Sequence, residues 1–217
     1  MRGLLITIEG IEGSGKTTQA IRLESYLKSI GYQVLRTFEP GATQLGKKLR
    51  GILLDVNTDN SSSLHPITEL LLFSADRTQH IYEIIAPELE QGKIVICDRF
   101  IDSTTAYQGG GRKLDLNQIL EIHKIATLGV IPFRTYLLDL PPEIGLQRVL
   151  EQRNKLDRLE SENIEFHKNI RAQFLKLAEL NPERFLVIDS NNTEDYVFEV
   201  IKNDVTRVLN EYYSRKK

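Results

Sequence analysis

Residues Gly10-Ile11-Glu12-Gly13-Ser14-Gly15-Lys16-Thr17 follow the spacing G-x-x-x-x-G-K-[ST] without a gap, directly after the apolar run Leu4-Leu5-Ile6-Thr7-Ile8. Missing side chains let successive backbone N–H groups of such a loop turn toward a polyphosphate, and a helix N-terminus adds its partial positive charge. Lys16 then reaches the β- and γ-phosphates, and Thr17 offers a hydroxyl to Mg²⁺. A glycine-rich turn that binds nothing can share this pattern, but the flanks argue against it. A strand-like run precedes the loop. A helical pattern follows it, with Ala20, Leu23, Leu27 and Ile30 along one face and Gly31 as a C-terminal stop. The loop from Gly10 to Thr17, with Thr18 next to it, therefore reads as a nucleoside triphosphate site.

Strand-like runs recur at 4–9, 33–37, 94–98, 134–139 and 184–188, with helical patterns between them. This alternation predicts an α/β fold with a five-stranded parallel sheet covered on both faces. Apolar spacing is most regular for helices over 16–30, 165–180 (Phe166, Ile170, Phe174, Leu177) and 194–210 (Val197, Ile201, Val205, Val208), and these stripes read as core. Ligands of such sheets gather at the carboxyl ends of the strands, so the loops beginning at Gly10, Phe38, Asp98 and Leu140 should share one edge.

A length of 217 residues suits one domain spanning the whole chain, 1–217. The net charge is −2 and the basic residues are dispersed, which argues against nucleic acid as a partner. No apolar stretch approaches the roughly 20 residues of a membrane span, and Met1-Arg2 leads straight into a strand, so a cytoplasmic location with no membrane association is expected. Cys97, the single cysteine, ends the apolar run Ile94-Val95-Ile96 and reads as a small buried hydrophobe. Histidines at 65, 80, 123 and 167 show no metal-ligand spacing, so no structural metal is assigned. The short Ser61-Ser62-Ser63 run reads as a loop.

The apolar run Ile94 to Cys97 delivers Asp98 to its end, where a carboxylate can hold Mg²⁺ directly or through water, and Arg99 follows at once. Asn154-Lys155-Leu156-Asp157 matches a guanine-reading pattern formally. That loop should leave a buried strand, however, and Glu151 to Glu160 is nearly all polar. A charged flap over about 148–160 is the better reading. Its arginines, Arg153 and Arg158, could be a solvated helix surface; beside a phosphate loop they suit a lid that neutralises charge and excludes water during transfer.

The stretches Glu69-Leu70-Leu71-Leu72-Phe73-Ser74-Ala75-Asp76-Arg77-Thr78-Gln79-His80 and Asp98-Arg99-Phe100-Ile101-Asp102-Ser103-Thr104-Thr105-Ala106-Tyr107-Gln108-Gly109-Gly110-Gly111 make the pattern specific. With the Gly10 loop, Glu39-Pro40-Gly41 and Asp157-Arg158-x-Glu160, they give a chain that resembles thymidylate kinases over nearly its whole length. The resemblance implies the P-loop NTPase fold of nucleoside monophosphate kinases, with dTMP as acceptor, ATP as donor, Mg²⁺ as cofactor and a homodimer built through helices. It also implies that Phe73 lies against the acceptor base and that Arg77 reads it. Thymine O4 accepts a hydrogen bond where cytosine carries an amino donor, which suits a guanidinium. By the same resemblance Arg50 and Arg99 hold the acceptor phosphate, and Glu12 lies near the sugar 3′-hydroxyl. Tyr107 crowds the 2′ carbon, Ser103, Thr104 and Gln108 line the base pocket, Glu39 and Pro40 belong to the dTMP site, and Arg148 lies over the donor adenine.

The loop Glu12-Gly13-Ser14-Gly15 holds no arginine, so the chain resembles the bacterial type whose catalytic arginine sits in the lid. It departs from many relatives at Thr37-Phe38-Glu39-Pro40-Gly41-Ala42-Thr43, where Phe38 replaces an arginine and Ala42 a glycine. The reaction so implied moves the γ-phosphoryl group of ATP to dTMP, giving ADP and dTDP for dTTP synthesis, with Lys16, Asp98, Arg99, Arg153 and Arg158 as its catalytic groups. Two other readings stand beside it: a kinase for a different acceptor, and a nucleotide-dependent switch that hydrolyses slowly without a small acceptor.

Overall fold

The computed structural model describes residues 2–55, 64–153 and 155–214; the Ser61-Ser62-Ser63 run lies outside them. Strands β1 (Leu4–Glu9), β2 (Val34–Phe38), β3 (Ile94–Asp98), β4 (Arg134–Asp139) and β5 (Phe185–Asp189) pair in parallel in the order β2-β3-β1-β4-β5. Parallel neighbours need crossovers, and helices supply them. Strands β1 and β3 are buried at every residue, as continuous apolar runs covered on both faces should be. The pleat sorts their side chains. Leu4, Ile6, Ile8, Ile94 and Ile96 face α1 (Lys16–Ser29) and α9 (Glu194–Ser214), meeting Ala20, Leu23, Leu27, Ile201 and Val205. Leu5, Val95 and Cys97 point the other way, onto Ile81, Ile85 and Phe100.

The remaining elements are α2 (Gln44–Leu54), α3 (Pro66–His80) running through a π-helical turn (Ile81–Ile85) into α4 (Ala86–Glu90), α5 (Ile101–Thr104) running into a second π-helical stretch (Thr105–Gly111), α6 (Leu116–Ala126), α7 (Pro142–Arg153) and α8 (Ile164–Leu180). Strands β2 and β5 start one residue later than the sequence pattern suggests. The three regular helical stripes are core with one correction: Ile30 is 47% exposed, because α1 stops at Ser29 and Gly31 at φ 93° turns the chain away.

Alternation carries through to the carboxyl ends of the strands. Asp98 emerges on the α1 side, where the Thr17 hydroxyl donates to its Oδ2 at 2.5 Å. Glu9 emerges on the opposite side, where it accepts from the Phe100 amide at 2.8 Å and the Ser103 hydroxyl at 2.6 Å. At the loop after β1, two glycines meet. A Cβ on Gly13 would sit 2.2 Å from the Gly145 carbonyl oxygen, and one on Gly145 would sit 2.4 Å from that of Glu12. Only bare backbone lets α7 approach the loop this closely.

Candidate active site

The first turn of α1 carries no acid and its N-cap, Gly15 at φ 87°, makes no side-chain cap, so its first N–H groups remain for a ligand. Lys16 folds back over the loop and donates to the Ile11 carbonyl at 2.5 Å. Burial, and then the charge of Arg99, push its ammonium down to about 8. A buried cation held only by that carbonyl and, at 3.4 Å, by the Ser14 hydroxyl is what an arriving polyphosphate would relieve.

Arg99 adopts φ 70°, a left-handed conformation uncommon for a side-chain-bearing residue and often found at functional sites. Its guanidinium spans the loop, donating to the Gly10 carbonyl at 3.0 Å, Ser103 Oγ at 3.1 Å and Glu12 Oε1 at 3.0 Å. Tyr107 donates its hydroxyl to the same Glu12 oxygen. Burial opposes ionisation of Glu12, but Arg99, Lys16 and the Tyr107 hydroxyl together hold its carboxyl below the usual range. The second carboxylate oxygen, Oε2, is buried without a hydrogen-bond partner.

Further along, Arg77 is 2% exposed and gives its Nε at 2.9 Å and Nη2 at 2.8 Å to Glu39 Oε2, and Nη2 also to the Phe100 carbonyl at 3.0 Å. Its Nη1 is buried with no partner, as is Gln108 Oε1. Buried polar groups are normally satisfied, so an orphan donor and an orphan acceptor in one pocket mark the place of a ligand. Beside them, Glu39 precedes a cis peptide bond to Pro40, whose carbonyl accepts from Arg50 at 2.8 Å. Glu39, His80 and Cys97 also come within 4.8 Å of one another, a grouping invisible in the spacing of the histidines. His80 is nevertheless engaged on both ring nitrogens, by Glu39 at 3.0 Å and Thr37 at 2.6 Å.

These groups share one cleft of about 900 Å³ across the carboxyl edge of the sheet, and every site residue named from the sequence lines it except Gly10, Ile11 and Arg158. Gly10 and Ile11 lie behind it: the Ile11 side chain is core at 3% exposure, and the Gly10 carbonyl serves Arg99. Arg158 turns away to bond the Leu53 carbonyl at 2.7 Å and Glu69 Oε2 at 2.7 Å. The charged flap is therefore pinned at its far end. Leu159 is buried in the α8 cluster, and Asp157 Oδ1 accepts the Leu159 and Glu160 amides at 2.9 Å each. Arg153, by contrast, lines the cleft with its side chain 53% exposed and paired to Glu160. Leu140 is wholly buried, so the β4 side reaches the cleft through Arg148 of α7, which donates to the Gly13 and Ser190 carbonyls at 3.3 Å. Sequence reasoning missed the β5–α9 loop, where Ser190, Asn192 and Thr193 line the same end as Arg148. Nothing in that polar stretch distinguishes it from an ordinary turn.

A phosphate loop, a strand-end aspartate on its threonine, and a second pocket with its own cations on the far side of the same cleft define a nucleoside monophosphate kinase. A profile for the Thymidylate kinase family matches residues 8–201. The chain belongs to the thymidylate kinase family. It is 46% identical over 204 residues to the thymidylate kinase of Protochlamydia amoebophila, covering 91% of this chain and 90% of that one. It is 50% identical over 187 residues to that of a Sulfurihydrogenibium strain, covering 86% and 89%. A crystal structure of thymidylate kinase from Ehrlichia chaffeensis superposes with a TM-score of 0.73 at 37% identity, covering 93% of this chain and 98% of that one.

Proposed function

We propose the following division of labour for the ATP-dependent phosphorylation of dTMP to dTDP. The γ-phosphoryl group of ATP passes to the 5′-phosphate of dTMP, leaving ADP. ATP lies along the loop from Glu12 to Thr18, with Lys16 on its terminal phosphates and its adenine between Arg148 and the β5–α9 loop. The Thr17 hydroxyl and Asp98 carboxylate, bonded at 2.5 Å, are hard oxygen donors suited to Mg²⁺, which would neutralise phosphate charge. No strong general base is needed, since the second pKa of a phosphate monoester is about 6 and its oxygen is already nucleophilic near neutral pH. The obstacle is repulsion between two anions, which Lys16, Arg99, Arg50 and Arg153 reduce while aligning the reacting groups. Glu12, whose Oε2 makes no hydrogen bond and lies 3.8 Å from His167 Nδ1, accepts from the sugar 3′-hydroxyl; Tyr107 stands against the 2′ carbon, and Ser103 and Thr104 line the pocket beside it.

The observation that carries the acceptor assignment is the pair of orphan atoms. Arg77 Nη1 can only donate and Gln108 Oε1 can only accept. Thymine offers them O4 and N3–H, whereas cytosine presents the reverse, an amino group and a bare nitrogen. Phe73, half-buried, supplies a face for the ring. The test is ADP release with ATP and Mg²⁺ over dTMP, dUMP, dCMP, dGMP, AMP and UMP. A strong preference for dTMP is expected; activity confined to another acceptor would keep the kinase and overturn the roles of Phe73, Arg77 and Gln108.

Residues 1–217 act as one catalytic unit with a lid over about 148–160, in which Arg153 meets the transferring group and Arg158 serves as an anchor. The chain works as a homodimer. Helices α3 and α6 pack together, and Leu71, Tyr82, Leu120 and Ile125 on or just beyond them stand 50% or more exposed, an apolar surface of the kind that pairs with a second copy. No helix among the described residues is long and apolar enough to cross a membrane, and we place the enzyme in the cytoplasm with its nucleotide substrates.

A further inference from the structure

Glu69, on α3, is 0% exposed and takes no place among the residues lining the cleft. A bare carboxylate there would be very costly. Three side chains converge on it: Gln108 Nε2 donates to Oε1 at 2.8 Å, Arg112 donates Nε to Oε1 and Nη2 to Oε2 at 3.1 Å each, and Arg158 donates Nη2 to Oε2 at 2.7 Å. Burial opposes its ionisation, but the hydrogen bonds from Arg112, Gln108 and Arg158 hold the carboxyl below the usual range. An ionised carboxylate can only accept. Gln108 must therefore turn its NH₂ toward Glu69 and its carbonyl away, and it is that carbonyl oxygen which lies buried, unpaired, in a residue lining the cleft. The two ends of a carboxamide have nearly the same shape and opposite polarity, so its surroundings alone decide which end faces the base.

We infer that Glu69 is a positioning residue that sets acceptor-base specificity by holding the Gln108 amide in one orientation, carbonyl toward the base. Glu39 does the same for Arg77, taking Nε and Nη2 and leaving Nη1 bare. A ring with N–H beside a carbonyl is accepted by such a pair, and a ring with bare nitrogen beside an amino group is refused. The inference rests on the base-reading roles proposed above for Gln108 and Arg77. Because the same carboxylate also binds Arg158, the orientation of the base reader and the anchor of the lid share one residue.

The experiment measures kcat and KM for dTMP, dUMP and dCMP with saturating ATP and Mg²⁺, in the unaltered enzyme and in Glu69→Gln, Glu69→Asp and the double variant Glu69→Gln/Gln108→Glu. Glu69→Gln lets the amide at 108 invert, so KM for dTMP and dUMP should rise together by about tenfold to a hundredfold. The ratio of kcat/KM for dTMP over dCMP should fall by the same factor, while dTMP over dUMP stays constant, because those two bases share the N3–H and O4 edge. Glu69→Asp keeps the charge that Arg112 and Arg158 need and withdraws it by one methylene; it should move the ratio in the same direction and decides the matter if Glu69→Gln does not fold. The double variant again turns an acceptor-only group to the base and should restore most of the preference for dTMP. A dTMP over dCMP ratio unchanged in folded Glu69→Asp or Glu69→Gln, whatever happens to kcat, would overturn the inference, as would a double variant with no recovery. If the unaltered enzyme takes dCMP as readily as dTMP, the base-reading roles themselves fail, a result distinct from failure of the Glu69 inference.

Discussion

Replacing Gly145 with alanine pits two effects of opposite sign against each other. Gly145 lies inside α7, where alanine normally gains about 1 kcal/mol over glycine in helix propensity. Here the new methyl carbon would stand 2.4 Å from the Glu12 carbonyl oxygen, about 1 Å short of ordinary van der Waals contact, and 3.1 Å from Ile11 Cδ1. The neighbour is backbone of the phosphate loop and cannot swing aside, so α7 itself must move. Overpacking of this kind costs about 1–3 kcal/mol, which cancels or outweighs the propensity gain of about 1 kcal/mol and leaves a net loss of about 0–2 kcal/mol. For a chain of this size that lowers Tm by up to roughly 8 °C. A helix shift approaching 1 Å also carries Arg148 off the Gly13 and Ser190 carbonyls and displaces Arg153, so kcat/KM for ATP should fall by about tenfold to a hundredfold. Thermal unfolding and steady-state kinetics read the two effects. Gly51→Ala is the control: it lies in α2 with no atom within 4 Å of the new carbon, and should raise stability by about 0.5–1 kcal/mol. If Gly145→Ala were as stable as Gly51→Ala, or bound ATP normally, the close approach of α7 to the loop would have no energetic consequence and the reasoning fails.

Two further outcomes are expected. Lys16→Ala and Arg99→Ala should each lower kcat by about a hundredfold or more while circular dichroism shows the fold retained; near-normal turnover in either would show that the charges are not used in transfer. In the ligand-free protein Lys16 titrates at about 8 rather than 10.5, so the cost of its buried charge is fully present below pH 8 and relieved as pH rises toward 10.5. Bound polyphosphate favours the ammonium form, and at pH 8 ATP binding should take up about half a proton. Calorimetry in buffers of different ionisation enthalpy measures this, and a binding heat independent of buffer would contradict it.

What the chain reveals before folding depends on how far apart its partners lie. The Gly10 loop and the Leu4 to Ile8 run are contiguous, so local pattern finds both the nucleotide site and the strand that holds it. Asp98 is legible because its strand is an unbroken apolar run. The seat of Arg158 is not legible because its partner, Glu69, lies 89 positions away, and a charged flap looks the same whether its arginine faces solvent or a buried carboxylate. Ile30 fits the apolar stripe of α1 perfectly well, and only the end of the helix at Ser29 exposes it. The convergence of Ser190 with Arg148 is likewise a product of strand order, which places β5 beside β4 at the edge of the sheet.

The lone cysteine acquires a use from its position. Cys97 sits wholly buried in β3, its thiol donating to the Arg99 carbonyl at 3.0 Å and pushed up by burial well above the ordinary thiol range. Reaction with an external thiol reagent therefore requires the layer of Ile81, Ile85 and Phe100 to lift off the sheet beneath Asp98, and with one thiol in the chain every labelled molecule reports that event alone. The protein carries a native clock for the opening of its own catalytic floor, readable with and without nucleotides and with no label introduced.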